Sequence, residues 1–445
     1  MFSNYFKLAL KVLGRNKFFT GISLFGISFT LMILMLITAF YDTEFGENPP
    51  LSNKDRLVFL SVLKMELVVP DTTLVIDSVA QGGLMAYDTT FTYGEGTNSV
   101  SISSFSYYVL DDYLREPAGV TDYSFYSSGQ HSFNVFLDNR KLEVGAIYAD
   151  AAYWRVFDFN LREGECFSAD QVQHATPVAV ITDELARQYF GRDSGVLGQE
   201  VELGNSRFKV IGVVRRSRSM NSMVAGDIFL PLTTMEGRAL DDNAYQGSFQ
   251  AAYLLDRSAA IGPVQAELAE RTARIPLRNP EEYNRISTLP MSFGELYASR
   301  LIDNNEPQKS LFRMRLVFGL LLLFFVLLPT LNLININISR IMERESEIGV
   351  RKAFGAHAGT ILYQFVFENV IITFLGGMIG MVLALGLLHL INDSQVLPHM
   401  ILRFNLRVFA YSLGICLLFG IVSGWVPAWR VSRLQIADAL KSNQL

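Results

Sequence analysis

Four apolar runs of more than twenty residues contain no Asp, Glu, Lys or Arg, and they constrain the fold more than any other feature. They cover residues 18–41, 316–339, 369–392 and 408–429. A helix needs about 20 apolar residues to cross the hydrocarbon core of a bilayer. The sequence therefore predicts an α-helical membrane protein with four transmembrane helices, which we place at residues 18–41, 311–339, 357–392 and 407–429.

The first run has an alternative interpretation as a cleaved signal peptide. Its 24 uncharged residues exceed the ~7–15-residue apolar region of such peptides. A retained membrane anchor is therefore the favoured reading.

Basic residues near the ends of these runs predict the orientation. They are concentrated in residues 1–17, 340–356 and 430–445, at Lys7, Lys11, Arg15, Lys17, Arg340, Arg344, Arg351, Lys352, Arg430, Arg433 and Lys441. The short link between the third and fourth predicted spans, at residues 393–406, has by contrast only Arg403 and, at its edge, Arg407. By the positive-inside rule, the amphipathic N-terminal segment, residues 340–356 and the C-terminal tail face the cytoplasm, and the 393–406 link is external.

Residues 42–310 form one large external domain between the first two predicted helices. This loop has 23 Lys and Arg against 37 Asp and Glu, a net charge of −14, whereas the other residues sum to +9. An acidic domain argues against nucleic-acid binding. Residues 121–244 are predicted to be an inserted α/β subdomain, and the flanking residues a second subdomain.

Local patterns predict the elements of this mixed α/β domain. The stretch PVAVIT at 177–182 is typical of a short buried strand, and the following residues 183–190 have helical spacing with Gly191 as a stop. Two β-rich runs around Gly204-Asn205 indicate a hairpin. Residues 70–106 predict long strands or loops, and residues 259–275 an amphipathic helix.

Motifs for catalysis and nucleotide binding are missing from the sequence. It has no G-x-x-x-x-G-K-[ST] phosphate loop, no G-x-S-x-G, no H-E-x-x-H and no C-x-x-C. Cys166 and His174 are eight positions apart, which by itself does not make a thiol–imidazole pair. We therefore expect neither enzymatic activity nor a cofactor or metal in this chain.

Several polar and small residues lie within the apolar runs. Glu368 is either a functional intramembrane acid or, as we favour, a side chain packed inside the helix bundle. Asn332 and Asn335 have the spacing of interhelical hydrogen-bonding residues, and Gly376 and Gly380 form a small-x-x-x-small face for close helix packing.

A charged stretch, RESEIGVRKAFGAHAGT, interrupts the apolar half of the chain at residues 344–360. Glu347 and Arg351 form an i, i+4 pair in the favourable order, and Gly355 is a C-terminal stop. This predicts a short amphipathic cytoplasmic helix. It either lies on lipid headgroups or docks a protein partner, and its alternating charges favour the partner.

Three groups of motifs resemble FtsX/MacB-type ABC transporter permeases. Residues 343–385 contain EIGVRKAFGA, similar to that family's E-I-G-[IV]-R-K-x-x-G-A segment, and residues 427–440 (PAWRVSRLQIADAL) resemble its closing pattern. The segments IYADAAYWRVFDFNLREGECF, VAVITDELARQYFG, VIGVVRR and IFLPLTT resemble the MacB-like periplasmic core domain. Residues 70–106 do not visibly match.

The resemblance implies a permease subunit that couples a separate cytoplasmic ATPase to movement of its periplasmic domain. The implied coupling residues are Glu345, Glu347, Ile348, Gly349, Arg351, Lys352 and Gly355. The implied partners are the ATPase, which binds ATP and Mg²⁺, a second permease copy or paralogue, the lipid bilayer of the bacterial inner membrane, and a periplasmic adaptor or outer-membrane component. Export or extraction of a substrate is expected. Regulation of a cell-wall hydrolase, lipoprotein release and a periplasmic sensor stay open as alternatives.

Overall fold

The chain is described by a computed structural model. The described residues are 17–81, 84–129, 131–137, 140–217, 224–235, 240, 243–303, 305–342, 350, 354, 357–394, 402, 404–407, 409–415, 417–418, 421 and 425. The chain divides into two compact units. We call Met1–Gly46, Arg218–Met220 and Phe312–Leu445 the helical unit, and Glu47–Ser217 and Asn221–Leu311 the sheet unit.

The helices and strands are numbered in chain order. The helices are α1 Lys17–Phe45, α2 Tyr107–Tyr113, α3 Tyr153–Val156, α4 Ala169–Gln173, α5 Asp183–Phe190, α6 Ile261–Ala273, α7 Phe293–Leu301, α8 Pro307–Met342 and α9 Ala358–Ser394. The strands are β1 Leu57–Leu60, β2 Leu63–Gln81, β3 Leu84–Phe105, β4 Val120–Ser127, β5 His131–Leu137, β6 Arg140–Ala149, β7 Leu161–Gly164, β8 Val178–Thr182, β9 Glu200–Leu203, β10 Ser206–Val214, β11 Ile228–Pro231, β12 Gln246–Gly247, β13 Phe249–Leu255, β14 Arg285–Thr288 and β15 Met291–Ser292.

Two helices of the described part are long and apolar enough to cross a membrane. They are Thr20–Phe45, within α1, and Val366–Ser394, within α9. The second predicted span falls within α8, and residues 409–415 of the fourth are helical. The structure thus bears out two apolar spans, and the count of four stays a prediction.

The sheet unit is built on one mixed sheet. Its main path through the described strands is β14-β2-β3-β13-β4-β6-β11-β8-β10-β7. The pairs β8–β10 and β6–β11 are parallel, and the other neighbours are antiparallel. β13 is central, because it pairs with β1, β3 and β4 and all seven of its residues are buried.

The local patterns of the sequence agree with these elements. β8 is buried at all five positions, and α5 follows it directly, with the Thr182 hydroxyl accepting from the Leu185 amide at its start. Gly191 ends α5 with a φ of 72°, a left-handed conformation that costs glycine little. β9 and β10 pair antiparallel across Gly204 and Asn205, as the hairpin pattern predicted.

The flanking regions also follow the predictions. Residues 70–106, for which long strands or loops were predicted, lie almost wholly in a hairpin of β2 and β3 that pairs from Leu63↔Ser103 to Gln81↔Leu84. Residues 259–275 contain the helix α6, as the sequence predicted. Val264 and Leu268 on its apolar face are buried, and so is Ile275, which lies just beyond the C-terminal end of α6. The predicted subdomain at 121–244 stays a prediction, since the sheet continues from β13 into β4 across that boundary.

The Asp150 carboxylate joins β4 to the start of α3. Its oxygens accept hydrogen bonds from the Ser124 hydroxyl at 2.7 Å and from the backbone N–H groups of Phe125 at 2.8 Å and Tyr153 at 3.0 Å. Burial raises the pKa of Asp150 to about 6, against the opposing effect of these hydrogen bonds. Ionisation of Asp150 in the folded protein therefore carries a desolvation cost, and the free energy of unfolding depends on pH.

Candidate functional site: the packed helices of the helical unit

The predicted coupling residues Glu345, Glu347, Ile348, Gly349, Arg351, Lys352 and Gly355 lie outside the described residues. Their role as an ATPase contact stays a prediction. On the C-terminal side of this segment, α9 starts at Ala358. The site that the structure does describe is the contact between α9 and α1.

Small residues of α9 lie directly against α1. A β-carbon built on Gly380 would be 2.8 Å from the Ser28 carbonyl oxygen and 3.1 Å from the Leu31 β-carbon. A β-carbon on Gly376 would be 2.7 Å from Cγ2 of Ile27. The 2.7 and 2.8 Å contacts are too short for real β-carbons. Glycine at 380 therefore allows the α9 backbone to approach the α1 backbone, and glycine at 376 makes room for the Ile27 side chain.

Apolar side chains pack on both sides of the glycine contact. Ile27 and Leu31 of α1 form a buried cluster with Ile371 and Ile372 of α9. Further along the pair, Met35 packs with Ala384 and Phe409, and Ala39 with Leu388 and Leu402. Helices surrounded by lipid gain little from hydrophobic burial, so this close van der Waals packing holds the pair together.

Glu368 of α9 is only 5% exposed. Its Oε1 accepts a hydrogen bond of 3.1 Å from the side-chain amide of Gln364, one turn earlier. The acid therefore lies inside the helical unit, as the favoured interpretation of the sequence required. Ser28 of α1 satisfies its own hydroxyl locally, because the hydroxyl donates to the Leu24 carbonyl at 2.6 Å.

Two side-chain amides fix the segment that follows α9. Asn392 donates to the Leu402 carbonyl at 2.9 Å and accepts from the Leu402 amide at 3.0 Å. Asn405 donates to Asp42 of α1 at 3.0 Å. Sequence analysis missed these contacts; the polar Asn392 at the end of an apolar run was the one available signal, whereas nothing local links Asp42 with Asn405.

The other predicted packing residues, Asn332 and Asn335, lie in the helix α8. Their side chains are outside the described part of the chain, so interhelical hydrogen bonding by them stays a prediction. Elsewhere on α8, the ring of Phe318 meets that of Tyr41 of α1 edge-on, with centroids 6.0 Å apart. α1 therefore contacts α8 as well as α9.

The Cys166 thiol and the His174 imidazole of the sheet unit have the surroundings of side chains without a catalytic role. Burial, followed by the charge of Glu165, raises the pKa of Cys166 to about 11, so it is a protonated thiol at neutral pH. The Nδ1 of His174 is 2.9 Å from the Asp170 carbonyl oxygen, one turn earlier in the chain. Within the described residues, no three His, Cys, Asp or Glu side chains are grouped to hold a metal ion.

Comparison with known proteins identifies two regions of the chain. Residues 20–271 match the MacB-like periplasmic core domain, and residues 319–436 match the FtsX-like permease C-terminal region. The first match alone covers more than half of the 445 residues. The second includes α9, both contact glycines and the charged stretch before them.

Similar proteins include two named exporters. The chain is 28% identical over 313 residues to the macrolide export ATP-binding/permease protein MacB of Salmonella typhi, covering 69% of this chain and 45% of that protein. It is 26% identical over 295 residues to the pyoverdine export ATP-binding/permease protein PvdT of Pseudomonas syringae pv. syringae, covering 66% and 42%. The chain thus spans less than half the length of these relatives.

The crystal structure of the periplasmic region of MacB from Actinobacillus actinomycetemcomitans is a structural neighbour. It shares 14% identity, with a TM-score of 0.34 over 45% of this chain and 84% of that one. A likeness at this level adds nothing to the assignment, which rests on the two matched regions. By those regions, the chain belongs to the FtsX/MacB-type family of ABC transporter permeases.

Proposed function

We propose that the chain is the permease subunit of an ABC transporter that converts ATP hydrolysis in a separate cytoplasmic ATPase into movement of its sheet unit. The work is mechanical transmission rather than conduction through a pore. It serves the export or extraction of a periplasmic or membrane-associated substrate. Family membership supports the class of protein, and the route of transmission is the step that we add.

The observation that carries this proposal is the backbone contact of Gly380 with Ser28. The coupling segment at residues 340–356 ends immediately before α9, and α1 ends at Phe45, immediately before the sheet unit begins at Glu47. Because Gly380 packs this closely against the α1 backbone, a displacement of α9 towards α1 displaces α1 as well. A push on the start of α9 therefore reaches α1 and the chain that follows it.

The arrangement that we propose places the protein in a bacterial inner membrane. Four helices cross the membrane, both termini and the coupling segment are cytoplasmic, and the acidic sheet unit is periplasmic. Two permease copies, or this chain and a paralogue, form the functional dimer. The partner ATPase binds ATP and Mg²⁺, and a periplasmic adaptor or outer-membrane component completes an export pathway.

The names of the relatives support export over the other family roles. MacB and PvdT are named for export of macrolides and pyoverdine, and we extend export of a small compound to this chain. Control of a cell-wall hydrolase and lipoprotein release are the alternatives within the family.

The test of ATPase coupling is a pull-down with variants of the coupling segment. The wild-type chain is purified in mild detergent to recover its ATPase, and the recovery is compared with that of Gly349→Trp and Ile348→Asp. We expect both variants to lose most of the ATPase, because a bulky group at Gly349 blocks close approach and a charge at Ile348 disrupts apolar contact. Loss of an interface anchor costs ~2 kcal/mol or more, which is about a thirtyfold loss of affinity.

Leu322→Ile, a near-isosteric change within the second predicted span, is the control and should recover wild-type amounts. Membrane insertion of every variant is checked by its level in washed membranes. Normal insertion together with undiminished ATPase recovery by both variants would refute coupling through this segment. A helix lying on lipid headgroups would then be the better description.

A further inference from the structure

The sheet unit contains a cavity of about 410 Å³ at the base of the β2–β3 hairpin. Its walls come from the start of β2, the end of β3, β13, the β14–β15 connection and α7, so distant parts of the chain form it. Its volume lies within the ~300–1,000 Å³ typical of small-molecule sites. Nothing in the proposed transmission of force requires a cavity here.

The lining carries positive charge and, among the residues described, no carboxylate. Lys64 and Arg300 both line the cavity. Lys64 is already bound to Glu66 at 2.6 Å. The guanidinium of Arg300 has no ion pair or hydrogen bond within the described part of the chain, whereas Arg155 and Arg162 of the same unit each bind an aspartate at 2.8–2.9 Å. The cavity therefore presents one cation whose charge is not balanced locally.

Arg300 lies at the C-terminal end of α7. The residue as a whole is exposed to solvent, and the protein atoms on one side of its guanidinium lower its pKa by partial burial. An arginine stays charged at neutral pH even when burial lowers its pKa. A partly desolvated guanidinium without a carboxylate partner binds an incoming anion more strongly than a fully hydrated one.

Hydroxyl groups add further donors. Ser61, Ser104, Ser128 and Ser287 all belong to the lining, and no side-chain hydrogen bond to another described residue occupies their hydroxyls. Each hydroxyl can donate one hydrogen bond to an anionic oxygen. The lining thus offers four hydroxyl donors besides the Arg300 guanidinium.

Apolar side chains form the rest of the wall. Ile102 and Leu289 belong to the lining although they are 60% and 46% exposed, and the buried Leu296 of α7 also lines the cavity. Exposed aliphatic side chains beside convergent polar groups are typical of a ligand pocket. Such a wall matches the hydrocarbon part of a ligand and does not favour a fully hydrated inorganic ion.

From this combination we propose that the cavity binds a small amphiphilic monoanion, a carboxylate on an aliphatic body, with the carboxylate on Arg300 and the aliphatic part against Ile102 and Leu289. The site goes beyond the proposed transmission of force and does not depend on it. Its occupant sits wholly within one sheet unit. Binding therefore needs neither the ATPase nor a second permease copy.

The test uses the full chain in lipid nanodiscs and octanoate with a terminal trifluoromethyl group, followed by fluorine NMR. Empty nanodiscs measure partition of the probe into lipid. We expect saturable binding to the wild type and at least about a tenfold loss of affinity in Arg300→Gln, because a charge-assisted bidentate contact is removed. Arg274→Gln, which removes the same charge from an exposed pair with Glu270 on α6, should stay within about twofold of the wild type.

The preference for a negatively charged ligand is tested with the matching octylammonium probe, which is a cation and should show no saturable binding. Equal affinities in Arg300→Gln and the wild type would overturn the proposal. Saturable binding of the cation with the affinity of the anion would do the same, as would octanoate signals no larger than those of empty nanodiscs.

Two further variants keep the test independent of any folding defect in Arg300→Gln. Arg300→Lys keeps the charge without the planar fork, and an intermediate loss of octanoate affinity is expected. Leu289→Asp places a carboxylate in the wall at an exposed position and should also weaken octanoate binding. Unchanged octanoate affinity in Leu289→Asp would contradict the placement of the ligand.

Discussion

Replacing Gly380 by alanine adds one carbon atom to α9 at the point where its backbone touches α1. That atom would lie 2.8 Å from the Ser28 carbonyl oxygen, so the helices must separate by roughly 0.5 Å to restore ordinary contact. Overpacking of this kind costs about 1–3 kcal/mol. The Ser28 oxygen belongs to the backbone of α1, and no side-chain rotation relieves the clash.

Gly386→Ala is the matched control, because a β-carbon at Gly386, on the same helix, meets no atom within 4 Å. Both substitutions gain the same helix propensity of about 1 kcal/mol, which cancels in their comparison. Gly380→Ala should therefore be less stable than Gly386→Ala by about 1–3 kcal/mol. The assay is reversible unfolding in mixed micelles with increasing dodecyl sulfate, followed by circular dichroism.

Gly376→Ala gives an intermediate case. The atom it meets is Cγ2 of Ile27 at 2.7 Å, a side-chain atom that truncation can remove. Ile27→Ala removes Cγ2 but keeps the Ile27 β-carbon, which is 2.9 Å from the same position. Adding Ile27→Ala should therefore recover only part of the steric loss in Gly376→Ala, whereas no side-chain truncation on α1 should relieve the contact with the Ser28 carbonyl oxygen in Gly380→Ala. Equal unfolding midpoints for Gly380→Ala and Gly386→Ala would show that the backbone contact does not exist in the membrane.

Three other predictions concern pH, topology and assembly. Because the pKa of Asp150 is raised to about 6, the folded state holds the Asp150 proton more tightly than the unfolded state does between about pH 4 and 6. The free energy of unfolding should therefore fall as pH rises through that window. Thermal unfolding of Asp150→Asn should show a smaller fall than that of the wild type. In a cysteine-free background, cysteine at Ser128 should react with an impermeant thiol reagent on intact spheroplasts and cysteine at Ser442 should not; the reverse pattern would invert the proposed orientation. Native mass spectrometry in mild detergent, with the ATPase present, should show two permease chains per complex, and a persistent single chain would exclude the dimer.

Local chemistry was sufficient to predict many elements of the fold. The uncharged run at 18–41 lies within α1, and the buried strand followed by a capped helix appears as β8 and α5 because Thr182 and Gly191 act within one turn of the chain. Gly376 and Gly380 were recognisable by their spacing, which places both on one helical face. In each case the determining residues are neighbours in the sequence.

The rest depends on contacts between distant residues. The bond between Asn405 and Asp42 joins positions 363 apart, and the cavity beside Arg300 is walled by segments from both ends of the sheet unit. The lack of a partner for Arg300 is likewise invisible in the sequence, because acidic residues are abundant throughout this acidic domain. Only the folded arrangement shows which of them come within reach.

The central position of β13 in the sheet has a consequence for biosynthesis. Leu57 of β1 pairs with Leu254 of β13, and β4 needs the same strand on its other side. At synthesis rates of ~5–20 residues per second, β1 waits about 10–40 s for its partner to be made. During that interval β1 and β4 present open edges to other nascent chains. Premature termination before Phe249 would leave those edges permanently unpaired, so truncated products of this protein should aggregate rather than persist as partial domains.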